Sequence, residues 1–527
     1  MKYAVRTLLN SPAFSLVAIV SIAIGIAGNA VIFSAADALF LRARPVISDP
    51  GRLVDVGGTR IGRALDTMSY PNFVDLRDRS RVFDGIAAYR PVAEVFGLTI
   101  NGSTQPAYGT AVSGNYFQVA GVPMTAGRAF AAGEDRIESP SAVIVLSYQL
   151  WDRRFGADPR AIGRVVRLNG RPFTIVGVAA SGFAGTNVSI ADFWIPIPSY
   201  TALMANAGAT GDELRGASEV LNSRASVWLV ANGRLKQGVT LAQAKDDVAR
   251  LGRDLEREYP EDNRGRGIGI ERSRPVPPAG RTPAALFVAL LFALVFLILL
   301  IACTNIGGML LARGMARAKD VSLRMALGAS REQIVRLLLT ESLVLSTAGA
   351  LLGIGLSLLL IRLMSAMIPA LPLPVSVELR LDWRVVTFSG ALAIVTALLS
   401  GLWPALDASK HDLVSTFRTD VAARGPRRLR LRHAFVVAQM ALSVLLVVTA
   451  LLLGRSLHQA GVIDPGFSMD SVEAMRLDLQ LGGYSDRAVR TFHADLLSRI
   501  AQIPGVQSAR RGKRSTFDPQ SFRTGAS

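Results

Sequence analysis

Cysteine is nearly missing from this sequence: Cys303 is the one example, and it lies inside an apolar run. A single thiol excludes an intrachain disulfide and any cysteine-built metal site, and its setting is that of a small buried filler. Histidine is almost as scarce. His411, His433, His458 and His493 are scattered with no H-E-x-x-H or comparable metal spacing, which argues against a metalloenzyme. The sequence also lacks a G-x-x-x-x-G-K-[ST] loop to cradle phosphates; Gly512-Lys513 has Gln507 where the first glycine should stand. ATP hydrolysis would have to come from another chain. Residues 109–114 lack the G-x-S-x-G spacing of a nucleophile elbow, so Ser113 reads as a strand-to-turn edge and no hydrolase triad can be built.

Charge is scarce as well. Of 527 residues only 19% are charged and 50% are hydrophobic, with a mean hydropathy of +0.35, which places the chain in the membrane class. The formal charge of +18 comes from Lys and Arg clustered beside apolar runs, without interleaved aromatics, and so argues for positive-inside loops and against nucleic acid. Five apolar stretches approach the roughly 20 residues needed to cross about 30 Å of hydrocarbon: 8–36, 283–312, 342–361, 385–406 and 434–454. Lys2 and Arg6 precede the first, but its apolar run is about twice a signal-peptide core of 7–15 residues, so it reads as a retained anchor. Arg313, Arg317, Lys319, Arg324, Arg331 and Arg336 mark the loop between the second and third stretches as cytosolic. Lys410, Arg418, Arg424, Arg427, Arg428, Arg430 and Arg432 do the same before the fifth. Parity then puts the N-terminus in the cytosol, and residues 42–281 and the tail after Arg455 outside.

The 42–281 region is long enough for one large or two small domains and has a mixed α and β pattern. Asn169-Gly170 between two β-prone runs, 165–168 and 171–176, predicts a hairpin, and 141–146 reads as a buried strand. Leu241, Ala244, Val248, Leu251 and Leu255 fall at helical spacing behind a Thr240/Gln243 capping box, with Pro260 as the stop; the helix should pack on a sheet. Residues 265–280, with Pro275, Pro277 and Pro278, read as a linker. A basic start before an apolar run occurs at Lys2 to Arg6 and again at Arg427 to Arg432, a hint of an internal repeat. Val489, Phe492, Leu496, Ile500 and Ile503 then have helical spacing, ended by Pro504-Gly505, and 508–527 lose all periodicity.

Between the second and third apolar stretches the pattern is that of an elbow. Asp320 can cap a short helix whose Leu323, Ala326 and Leu327 form an apolar stripe, with Arg324 facing elsewhere and Gly328 at its exit. Ser330 with Gln333 forms a second capping box before the third stretch. Such an elbow could anchor the loop in headgroups or seat a cytosolic motor, and local physics does not separate the two. Within the first stretch, Gly25 and Asn29 share a helix face suited to close helix packing. Glu341, just inside the third stretch, needs the headgroup region or a cation such as Arg336 or Arg313.

Residues 316–343 resemble the signature of the FtsX-like permease domain. Residues 3–44, with Ser11-Pro12, Gly25, Asn29 and Ile32-Phe33, resemble the opening of MacB-type permeases. Tyr70-Pro71-Asn72-Phe73, 112–117, Gly127-Arg128-Ala129-Phe130, Leu146-Ser147-Tyr148, Leu150-Trp151, Arg153-Arg154-Phe155-Gly156, Ile162-Gly163-Arg164 and Phe193-Trp194-Ile195-Pro196 follow the order of that family's periplasmic core domain. Asp464-Pro465-Gly466-Phe467 and Ile503-Pro504-Gly505-Val506 are similar to the start of a second copy, as in the tandemly duplicated orphan permeases, here ending before its closing spans.

The resemblance implies an α-helical membrane protein of about five spans with a large mixed α/β extracytoplasmic domain between the first two. Its division would be an N-terminal segment and first span (1–41), a periplasmic core domain (42–281), a permease domain (282–410, coupling loop 313–336), a basic cytosolic linker (411–433), a fifth span (434–456) and an incomplete second periplasmic domain (457–527). It also implies a bacterial inner-membrane permease subunit, with Arg317, Lys319, Asp320, Leu323, Arg324, Ala326, Leu327, Gly328, Ser330 and Arg331 docking a cytosolic P-loop ATPase. ATP and Mg2+ would be bound by that ATPase and no cofactor by this chain. Other expected partners are a second permease subunit, as homodimer or pseudo-dimer, a periplasmic adaptor or envelope protein, and membrane lipids. Two functions follow from this: export or extraction of an amphiphile, peptide or lipoprotein, or mechanical control of an envelope enzyme or sensor without transport.

Overall fold

A computed structural model describes residues 11–42, 46–60, 65–131, 133–205, 216–316, 330–367, 379–408, 426–461, 479, 486–504 and 506. In chain order the elements begin with α1 (Pro12–Ala36), β1 (Leu53–Arg60), α2 (Tyr70–Arg79), β2 (Phe83–Tyr89), β3 (Glu94–Ile100), β4 (Ser103–Val112), α3 (Tyr116–Ala120), β5 (Met124–Gly127), β6 (Val143–Leu146), α4 (Tyr148–Phe155), β7 (Val165–Leu168), β8 (Arg171–Ala179), β9 (Phe193–Pro196), α5 (Ile197–Ala205) and α6 (Gly216–Asn222). They continue with β10 (Val230–Leu235), α7 (Leu241–Glu258), α8 (Pro260–Asn263), β11 (Arg266–Arg272), α9 (Pro278–Ala316), α10 (Arg331–Met367), α11 (Trp383–Ala408), α12 (Pro426–Gly461) and α13 (Asp486–Ile500). Two compact units result: Met1–Ala38 with Pro283–Pro372 and Val377–Ile463, and Leu39–Thr282 with Leu373–Ser376 and Asp464–Ser527.

The α/β unit holds one branched sheet. Strand β9 pairs antiparallel with β6 and parallel with β4, so β4, β3, β7, β8, β6 and β9 close into a ring. Closure removes the free edges that would otherwise invite pairing with other chains. Phe96, Ile144, Leu168, Phe173, Phe193 and Ile195 are buried in its core. Gly109 is required where β4 passes Phe193, because a Cβ there would overlap that ring, and Phe96 meets Phe193 edge-on with centroids 5.4 Å apart. The β7–β8 hairpin expected at Asn169-Gly170 is present, with φ of +47° and +82°, the left-handed pair that a type I′ turn demands. Asn169 Oδ1 also accepts from Gly97 N at 2.8 Å, which fastens the turn to β3.

A second arm runs β11–β1–β10–β2, all antiparallel, and joins the ring where Tyr89 pairs Val112. Helix α7 starts at the capping box of Thr240 and Gln243 and buries Ala244, Val248, Leu251 and Leu255 of the stripe its spacing predicts, with Leu241 partly buried against the same core. Its Gly252 lies so close to β11 that a Cβ would sit 2.7 Å from Ile268 N.

Residues 266–272 correct the linker expectation. They form β11, paired with β1 from Val54↔Arg272 to Arg60↔Arg266. The glycines that read as flexibility instead make room: Cβ atoms at Gly267 and Gly269 would fall 2.7 Å from Thr59 side-chain atoms. Pro278 then opens α9, so this helix starts before the expected 283, and α10 likewise extends past 342–361 at both ends. The last part of the 411–433 stretch is helical too, since α12 begins at Pro426.

The membrane-type unit packs α1 against α9, α10 and α11. Among the described residues, five helices are long and apolar enough to cross a bilayer, within Pro12–Leu41, Pro278–Leu310, Val335–Met364, Trp383–Leu402 and Val436–Ser456. Without a hydrophobic drive between helices in lipid, close approach depends on small residues. Gly349 and Gly353 supply it on α10, where added Cβ atoms would lie 2.6 Å from Ile22 Cγ2 and 2.9 Å from the Ala23 carbonyl oxygen of α1. In contrast to these, α12 leaves its apolar stretch wholly unburied among the described residues. Replacing Gly349 by Ala should destabilise the unit by about 1–3 kcal/mol through overpacking. Gly355→Ala, with nothing within 4 Å, should not. Thermal unfolding of the two detergent-solubilised variants, read side by side, checks this.

Candidate functional site

Of the residues expected to form the coupling elbow, Arg317, Lys319, Asp320, Leu323, Arg324, Ala326, Leu327 and Gly328 lie outside the described residues. Its two flanks are described. Helix α9 closes at Ala316, and Arg331 is the first residue of α10. Ser330 forms the predicted reciprocal cap: Gln333 N donates to Ser330 Oγ at 3.3 Å and Ser330 N donates to Gln333 Oε1 at 2.9 Å. Ser330 thus satisfies the orphan Gln333 amide of the first turn, and the Gln333 side chain in return satisfies the Ser330 amide.

The end of α9 is held by Arg313, whose Nη2 donates to Ser11 Oγ and whose guanidinium stands 4.8 Å from the centre of the Phe14 ring. Further along α1, Asn29 Nδ2 donates to the Gly25 carbonyl at 2.8 Å and across to the Val295 carbonyl of α9 at 3.1 Å. A Cβ on Gly25 would sit 2.8 Å from Leu299 Cδ1. Near the other end of α1, buried Asp37 receives Arg384 Nη1 at 2.9 Å, and Phe33 stacks on Phe388 at 4.3 Å. Glu341 lies within α10 and is buried. Gly349 and Gly353 were not singled out from the sequence; their four-residue spacing in an apolar helix is the signal that finds them.

The α/β unit has a buried polar centre that the sequence reading also missed. Asp55 Oδ1 accepts from Asn232 Nδ2 at 2.6 Å and Ser273 Oγ at 2.8 Å, while Oδ2 accepts from Arg274 N at 3.3 Å and from Arg281 Nη2. Burial raises its carboxyl to about 6, outweighing the lowering by Arg281 and by the hydrogen bonds. A polar residue inside the apolar run Leu53-Val54-Asp55-Val56 was the available signal.

The profile of the MacB-like periplasmic core domain matches residues 15–251, and that of the FtsX-like permease C-terminal domain matches residues 292–413. A pyoverdine export ATP-binding/permease protein, PvdT, of Pseudomonas fluorescens is 25% identical over 308 residues, 58% of this chain and 42% of that protein. A macrolide export ATP-binding/permease protein, MacB, of Neisseria gonorrhoeae is 23% identical over 314 residues, 59% of this chain and 43% of that protein. The chain therefore spans under half the length of these relatives. The periplasmic region of MacB from Actinobacillus actinomycetemcomitans aligns with a TM-score of 0.31 at 15% identity, over 46% of this chain and 97% of that one. A permease domain from Porphyromonas gingivalis gives 0.32 at 15% identity, over 44% and 94%. The two profile matches and the five apolar helices make this a membrane protein with a large extracytoplasmic α/β domain.

Removing the reciprocal cap by Ser330→Ala should cost the start of α10 about 0.5–2 kcal/mol. Amide hydrogen exchange in its first turn should quicken by about 2- to 30-fold, with α11 unchanged; equal rates in wild type and variant would show that the cap does not hold this end.

Proposed function

We propose that this chain, which belongs to the MacB/FtsX-like ABC transporter permeases, couples ATP hydrolysis by a separate cytosolic ATPase to movement of its extracytoplasmic domain. The work done is export or extraction of an amphiphile, peptide or lipoprotein. The observation that carries this reading is the pairing, in one chain, of a periplasmic core domain match with an FtsX-like permease match. Export rather than uptake is favoured because the relatives named above are export proteins.

The sequence supplies the rest of the proposal. Lacking a phosphate-cradling loop, the chain leaves ATP and Mg2+ to the partner. The basic segment between α9 and α10 faces the cytosol with the N-terminus, in keeping with the positive-inside rule. Its Leu323, Ala326 and Leu327 offer an apolar stripe to the ATPase, flanked by Arg317, Lys319, Arg324 and Arg331. A capped, stiff entry into α10 suits a segment that must pass displacement onward. A second permease subunit completes a symmetric pair around an ATPase dimer, and a periplasmic adaptor or envelope protein receives the movement.

The test is co-purification from detergent of the full-length chain with a P-loop ATPase, comparing wild type with Leu323→Asp plus Leu327→Asp. Burying two leucines is worth about 1.5–3 kcal/mol each, so capture should fall by an order of magnitude or more at unchanged thermal stability. A folded wild type that captures no ATPase removes the coupling role.

A further inference from the structure

Asp55 and Glu271 stand directly opposite each other on β1 and β11. Like charges in that position destabilise a sheet unless a cation lies between them. Arg281, in the first turn of α9, is that cation. Its Nη1 lies 2.5 Å from Glu271 Oε2, its Nη2 bonds Asp55 Oδ2, and its Nε donates to the Val276 carbonyl at 3.1 Å. The side chains of Asp55 and Arg281 are 2% and 9% exposed, and that of Glu271 is 45% exposed. One guanidinium is therefore held by two carboxylates, one buried and one half in solvent.

The other groups facing Asp55 are Asn232 from β10, the Ser273 hydroxyl and Arg274 amide beyond β11, and Tyr89 from β2. Burial, and after it the charge of Asp55, push the Tyr89 phenol well above its ordinary range, so it stays neutral at any physiological pH. Glu271, Asp55 and Arg281 are the charges in play.

We propose that Asp55 and Arg281 form a proton-operated latch on the first turn of α9, whose later residues form the second candidate span. Ionised Asp55 holds this turn against β1 and β11, and a proton on Asp55 leaves it held by Glu271 alone. Asp55 titrates near 6 in the folded chain against 3.8 for the free carboxyl. Since the folded state binds this proton more tightly, Asp55's contribution to stability is fully present below 3.8 and is lost as pH rises through about 6. Acid thus opens the latch without this residue driving the domain to unfold. Arg281 keeps Glu271 when the latch is open, so no buried charge is stranded.

Hydrogen exchange of the full-length, detergent-solubilised protein at pH 7.5 and 5.0, corrected for the intrinsic pH dependence, tests the latch. The protonated fraction of a group titrating near 6 rises roughly thirtyfold across that interval. Protection at Gly280, Arg281, Thr282 and Ala284 should fall by up to that factor while the β7–β8 hairpin stays unchanged. Asp55→Asn, neutral at every pH, should show the unprotected level at both values. Equal wild-type protection at the two pH values overturns the proposal. So does a matching fall in the hairpin, or a pH response that survives in Asp55→Asn. Should that variant fail to fold, the wild-type profile alone decides.

Discussion

A carboxylate taken out of water costs more than any single hydrogen bond returns, and it is tolerated only when cations and donors surround it. The α/β unit is organised around that requirement at Asp55. Donors reach it from β10, from the turn after β11 and from the first turn of α9. Each of those segments is thereby fixed relative to β1, and Asn232 and Glu271 are its direct cross-strand neighbours. Removing Arg281 would strand Asp55, whereas Arg281 without Asp55 would keep Glu271, so the buried carboxylate depends on the guanidinium more than the reverse.

In the membrane-type unit the constraint is different, because lipid offers apolar side chains no reason to leave it. Contact is gained where backbones approach closely and where a polar group finds a partner on the neighbouring helix. Gly25, Gly349 and Gly353 provide the first, and Asn29, Asp37 and Arg313 the second. All of these meet on α1, at one end or along its length. This helix is consequently an integral part of the packing among spans as well as an anchor.

Much of this was legible in the sequence, and what was legible depended on local chemistry. The Asn169-Gly170 turn, the Thr240/Gln243 and Ser330/Gln333 caps, the α7 stripe and the five apolar stretches each announce themselves within a few residues, since their causes act over that distance. What escaped reading was set by partners far along the chain. Residues 266–272 look like a linker because Gly267 and Gly269 lack side chains; Thr59, some 200 residues earlier, is the reason they do. Closure of the ring by β9 against β4, and the meeting of Asp55 with Arg281, are likewise long-range facts with no local signature. Residues 317–329 of the elbow lie outside the described part of the chain, while Ser330 and Arg331 lie within it.

The two flanks are held in different ways. A helix whose first turn is closed by a reciprocal cap, as Ser330 and Gln333 close that of α10, resists fraying, because opening the turn must break the cap as well as the helical bonds. The end of α9 is held differently, by Arg313 reaching to Ser11 and Phe14 of α1. The start of α10 is therefore held by a cap within its own sequence and the end of α9 by a neighbouring helix. The two helices involved, α10 and α1, interlock at Gly349 and Gly353. Any relative motion across contacts this tight requires the helices to move together or to exchange one packing for another, since a packed interface has little capacity for continuous deformation.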